Sequence, residues 1–182
     1  MSAYLVLFAA VLSRILPHAF HLVGLNFTLV GGSLLFFGAR RSRGQTVFAV
    51  LALMATDVYL TVFAYHYAFH ASGYLITWAW YAGVCFLGHE MLRKPTLLKT
   101  TAAVLTSATS FFILSNFAVW IGSSMYPHTA AGLAACYAAA VPFYQNDLIS
   151  TGLTATALFG IPALAAKLVE TLKPSHEVPR PN

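Results

Sequence analysis

Six long apolar runs, separated in turn by basic and by uncharged loops, restrict this chain more than any other feature of its sequence. The runs cover residues 2–16, 27–39, 46–69, 74–91, 97–122 and 147–168. A helix needs about 20 mostly apolar residues to cross the hydrocarbon core of a bilayer. The third run, for example, contains a single charged residue, Asp57. Lys and Arg number ten and Asp and Glu five, so only 8% of the chain is charged, against roughly 25% in a soluble domain. So few charges cannot cover a soluble surface. Disorder is excluded for the opposite reason, since 59% of the residues are hydrophobic. The chain reads as an all-α polytopic membrane protein, with one transmembrane domain over 1–171 and a disordered cytoplasmic tail over 172–182.

The loops set the orientation. Residues 40–45, residues 92–96 with Lys99, and the tail from Lys167 hold nine of the ten Lys and Arg. The intervening loops 17–26, 70–73 and 123–146 hold none. Under the positive-inside rule this alternation places both termini in the cytoplasm and requires an even number of spans, six. The first run would rise only about 22 Å as a helix, short of the core's thickness. Residues 17–26 are expected to form an irregular segment dipping into the protein, because Gly24, Asn26, Gly31 and Gly32 argue against an unbroken helix. Residues 129–141, ended by Pro142, are too short to cross and are expected to form a re-entrant or interfacial helix before the last span. The first run lacks a basic leader and reads as a retained span.

A few polar residues break the apolar runs. Arg14 is the one basic residue outside the inner loops, and Asp57 lies at a similar height in the third span. A lone charge in a span costs at least ~2.5–3.5 kcal/mol, so each needs a partner, and an Arg14–Asp57 pair satisfies both. Such a pair serves either to hold helices together or to meet a polar ligand. Thr109, Asn116 and Trp120 fall in one sector of the fifth span and point inward. Asn146 or Asp147 can cap the last span, and its outer location also suits a ligand contact. His66 and His70, spaced i, i+4, could chelate a metal or meet haem from one helix face. Trp78, Trp80 and Tyr81 read as an aromatic belt at the headgroup level. Ala9-x-x-x-Ser13 is the one small-xxx-small pattern worth testing for helix contact. Cys85 and Cys136 are far apart and form no metal-binding spacing. No nucleophile–base constellation or phosphate-binding loop is present, so the chain does not read as an enzyme. The basic clusters act as topology signals and not as a nucleic-acid surface.

Several segments together resemble an uncharacterised family of small bacterial membrane proteins, themselves similar to the substrate-capture (S) components of energy-coupling-factor transporters. They are Arg14-Ile15-Leu16-Pro17-His18, Asn26-Phe27-Thr28, Ala55-Thr56-Asp57, Asn116-Phe117-Ala118-Val119-Trp120, Tyr126-Pro127, Val141-Pro142-Phe143-Tyr144-Gln145-Asn146 and Leu158-Phe159-Gly160. The chain departs from the pattern in the extra residues 19–25, and at Ser150-Thr151, where a Gly-Asp is expected. The resemblance implies capture of a vitamin-like or cofactor-precursor solute at the bacterial inner membrane, with no cofactor. It implies a ligand site drawn from Arg14, His18, Asn26, Asp57, Asn116, Trp120, Tyr126, Asn146 and Asp147. It also implies partners: an energising transmembrane subunit and its ATPases. Two other readings stay open: a haem- or metal-binding membrane subunit using His66 and His70, and a non-catalytic structural subunit.

Overall fold

The computed structural model describes residues 1–19 and 27–172, and all of its regular elements are helical. Helix α1 spans Ser2–Ala19, α2 Val30–Arg40, α3 Thr46–Tyr59, α4 Leu75–Met91, α5 Leu97–Gly122, α6 Ala130–Ala155 and α7 Ile161–Leu172. Single π turns extend α3 over Leu60–Ala64 and join α6 to α7 over Thr156–Gly160. Three rods are long and apolar enough to cross a membrane: Arg43–Ala64, Leu97–Gly122 and Ala130–Leu172. The other helices are shorter. Large apolar side chains such as Leu5, Phe8, Phe48, Leu51, Leu105, Ile113, Ile149 and Leu153 face outward. Such an exterior suits a hydrocarbon solvent and not water.

Helix α2 forms the centre. Every residue from Val30 to Ala39 is buried, and α1, α4 and α6 pack around it. Glycines of α2 and α4 allow this. A Cβ at Gly38 would run into the Cys85 carbonyl, and one at Gly88 into the Leu35 carbonyl, so α2 and α4 approach backbone to backbone. Gly31 and Gly32 admit the side chains of Thr151 and Thr154 from α6. These two glycines, which argue against an unbroken helix from residue 19, lie in the first turn of α2, where a neighbour fills the space of each missing Cβ. Ser13 of the Ala9-x-x-x-Ser13 pattern acts as a hydrogen-bonding residue: its Oγ accepts the Leu29 N–H at 3.0 Å, anchoring the entry to α2.

Three expectations require correction. Helix α1 does not stop at Leu16 but runs through Pro17 to Ala19; residues 20–26 of the expected irregular segment lie outside the described residues. The predicted break at Pro142 is absent. Residues 129–141 and the last span form one rod of 43 residues, Ala130–Leu172, so there is no separate re-entrant helix. Pro142 withholds one N–H from the helix. Ending the helix there would instead strand several backbone groups where no water can serve them, so continuation is cheaper. Asn146 and Asp147 accordingly sit mid-helix and cap nothing; the cap is Thr129, whose hydroxyl accepts from Gly132 N–H at 3.1 Å. Finally, His66 and His70 share no helix face. The π turn ends at Ala64, His66 takes a left-handed conformation (φ 57°), and Tyr67 N–H closes on the Thr61 carbonyl at 2.9 Å. Histidine is one of the residues that tolerates this conformation at a helix end.

The basic loop 40–45 meets the start of α1 and the end of α4, which leads into the basic loop 92–96. The Arg41 guanidinium lies 4.6 Å over the Tyr4 ring, His89 Nδ1 is 3.2 Å from the Arg41 carbonyl, and Arg43 pairs with Glu90.

A cavity beside a buried ion pair

Arg14 from α1 and Asp57 from α3 meet inside the bundle. Arg14 Nη2 lies 2.6 Å from Asp57 Oδ1, and the aspartate side chain is only 2% exposed. The shared height of the two charges placed them within reach. The structure adds what the sequence did not show: α4 supplies the rest of the carboxylate's partners. Trp78 Nε1 donates to Oδ2 at 3.0 Å. The Tyr81 hydroxyl lies 3.3 Å from both carboxylate oxygens and accepts from Arg14 Nη1 at 3.1 Å. The hydroxyl thus accepts a hydrogen bond from the cation and donates one to the anion. A buried carboxylate accepting from three donors is satisfied to a degree that an exposed pair is not.

Local structure holds these donors in place. Trp78 and Tyr81 stand at i, i+3 and so share a face of α4. Trp78 ends a stack with Tyr74 and Phe69, with successive ring centroids 5.9 and 5.1 Å apart. The aromatic-belt reading therefore fails for this group: Trp80 and Tyr81 are buried, and Trp80 Nε1 donates to Ser110 Oγ at 3.0 Å. The π turn begins three residues after Asp57. Thr61, within it, donates to the Asp57 carbonyl at 2.7 Å and touches the Tyr74 hydroxyl. Single π turns recur beside functional sites, where they widen a helix and redirect its side chains.

The ion pair forms one wall of a cavity of about 420 Å³ between α1, the start of α2, α3, α4, α5 and α6. Four of the sequence-predicted site residues line it: Arg14, Asp57, Asn116 and Asp147. Asn116 donates from Nδ2 to the Phe112 carbonyl at 2.7 Å, within its own helix. Asp147 faces the cavity from α6, and its Oδ2 is buried with no hydrogen-bond partner. Aromatic side chains, among them Phe111, Phe112, Phe143 and Tyr144, make up much of the remaining wall. Tyr144 is fixed by a 3.0 Å hydrogen bond to Thr109 and by Phe112, whose ring centroid is 4.9 Å away.

The other predicted site residues lie elsewhere. His18 is exposed and packs edge-on to Tyr65 at 5.2 Å. Trp120 donates to the Pro127 carbonyl at 2.9 Å and meets His128, with ring centroids 5.5 Å apart. It thus ties α5 to the following loop and does not join Asn116 in the cavity wall. Tyr126 lies in that loop and Asn146 on α6, and neither lines the cavity. Asn26 falls outside the described residues. Among the described residues no group of three or more His, Cys, Asp or Glu side chains is placed to hold a metal. Tyr81, Trp78 and Tyr144 were missed. Their one sequence signal was polar-tipped aromatics at helical spacing facing the predicted charges.

No curated protein and no solved structure matches the chain. A family model of unknown function, DUF6580, matches residues 1–173, and the chain belongs to that family.

Proposed function

We propose that the chain is an integral membrane subunit that captures a small solute in the cavity beside the Arg14–Asp57 pair. The cavity itself carries this reading: about 420 Å³ inside the bundle, with charged and polar groups converging on an otherwise aromatic wall. Concave, largely apolar sites with a few placed polar groups are the usual form of a small-molecule site. In a membrane bundle, moreover, ionisable residues are retained where they serve a pathway or a ligand.

The wider reading follows the motif resemblance. The subunit would work as an S component does, passing a vitamin-like or cofactor-precursor solute inward with the help of an energising subunit and ATPases. It would cross a bacterial cell membrane six times, with both termini in the cytoplasm. The meeting of the basic loop 40–45 with the end of α4, which leads into the basic loop 92–96, supports that orientation.

The test is native mass spectrometry of the protein purified in mild detergent, with denaturing extraction of any bound molecule. The expected result is a stoichiometric small molecule lost in Asp57→Asn. A purified, folded protein that retains none, and binds none from a vitamin and precursor panel, would refute capture. Absence of any ATPase in a crosslinked membrane complex would refute the S-component form of the reading alone.

A further inference from the structure

The charges lining the cavity do not balance. Arg14 contributes one positive charge, Asp57 and Asp147 one negative charge each. The first two neutralise one another at 2.6 Å. Asp147 is left over: it joins no ion pair among the described residues, and its Oδ2 is buried without a donor. A carboxylate held like this in apolar surroundings is costly unless a positive charge or a hydrogen-bond donor reaches it.

The surroundings indicate what form that partner takes. Phe143 and Tyr144 stand four and three residues before Asp147 on α6, on the same side of the helix. Phe111 and Phe112 line the same cavity from the neighbouring α5, with Phe112 packed against Tyr144. Aromatic faces attract cations and give a flat apolar body a place to stack. An unpaired carboxylate oxygen beside aromatic rings is the complement of an N–H-bearing ammonium attached to a ring. Resting on the capture reading above, we propose that the cavity binds an aromatic or heteroaromatic ammonium cation, with Asp147 as its counter-ion. Arg14 and Asp57 then form a neutral wall, and selection between solutes of different charge falls to Asp147.

Three probes of equal ring and different charge test this: tryptamine (a cation at pH 7), tryptophol (neutral) and indole-3-propionate (an anion). Each is titrated calorimetrically into the protein in nanodiscs, with empty nanodiscs as the blank. The expected order is tryptamine at least tenfold tighter than tryptophol, with indole-3-propionate weakest. Asp147→Asn should cost tryptamine tenfold or more and leave tryptophol within twofold, while Asp147→Glu keeps the preference. Equal binding of tryptamine and tryptophol by the wild-type protein would overturn the proposal, since Asp147 would then carry its own proton. So would a preference for the anion. Both outcomes would leave capture itself standing. Binding of none of the three probes by the wild-type protein would overturn the proposal, whereas capture itself falls only if the purified protein also retains no molecule and binds none from the vitamin and precursor panel.

Discussion

Replacing Asp57 by Asn tests the buried pair most directly. The amide keeps the shape of the carboxylate but removes its charge and turns one of its two acceptor oxygens into a donor. Asp57 now receives from Arg14 at 2.6 Å, from Trp78 at 3.0 Å and from Tyr81 at 3.3 Å. One amide oxygen cannot serve all three, and the new NH₂ faces at least one donor. Meanwhile the Arg14 guanidinium, whose side chain is 18% exposed, loses its counter-charge. Removing one partner of a buried ion pair costs about 3–5 kcal/mol, and a hydrogen bond to a charged group is worth about 1.5–3 kcal/mol. Asp57→Asn should therefore lose about 3–5 kcal/mol, read from equilibrium unfolding in mixed micelles. The decisive comparison is the double variant Arg14→Gln/Asp57→Asn. It leaves two neutral side chains that can bond to each other and to Trp78, and removes the stranded charge. It should recover at least half of the single variant's loss, about 1.5–2.5 kcal/mol, so the double variant costs far less than the two single variants summed. A single variant within ~0.5 kcal/mol of wild type, or a double variant whose cost equals the sum of the singles, would refute the reasoning.

Three further outcomes follow from the packing. Trp78→Phe keeps the ring stack with Tyr74 and Phe69 but deletes the donor to Asp57; it should cost about 1.5–3 kcal/mol in the same unfolding assay and much less in an Asp57→Asn background. Gly38→Ala places a methyl group against the Cys85 carbonyl and should destabilise by about 1–3 kcal/mol or more; Gly83→Ala, with open space around the added carbon, should be neutral or slightly stabilising, and the contrast is readable from thermal melting. Pro142→Ala restores the missing N–H to a helix that runs straight through this position, so the variant should melt at or above the wild-type temperature. A fall of several degrees would show that the chain needs a break there.

The sequence disclosed the outline of this molecule through charge, and disclosed less wherever the argument depended on backbone rules learned in water. Arg14 and Asp57 could be paired from depth alone, because a stranded charge in an apolar helix has few ways to be relieved. Asn116 and Asp147 were likewise found as polar interruptions, and both line the cavity. The errors have other causes. Pro142 reads as a helix breaker, which holds where water can take over the backbone's hydrogen bonds. Pro142 lies between the exposed apolar side chains Val141 and Phe143, on an exterior that suits hydrocarbon, so α6 continues through it. The His66–His70 pair failed because its helix ends at Ala64, a boundary that no strong stop signal marks. Trp78 and Tyr81 were obscured by being aromatic near a span's end, where a lipid-facing belt explains them equally well until the charge they face is known.

The continuous rod over Ala130–Leu172 has a mechanical consequence. At 1.5 Å per residue its 43 residues reach about 65 Å, roughly twice the thickness of a hydrocarbon core. Asp147, in the cavity wall, lies about 38 Å along the axis from the rod's last residue, Leu172. A stiff helix works as a lever: a tilt of about 10° pivoting near the cavity would swing that far end by about 6–7 Å, unless the π turn at Thr156–Gly160 absorbs it. Were α6 to tilt where it lines the cavity, the exposed apolar helix α7 would be carried with it, and the π turn is the one place in the rod where the two could move apart.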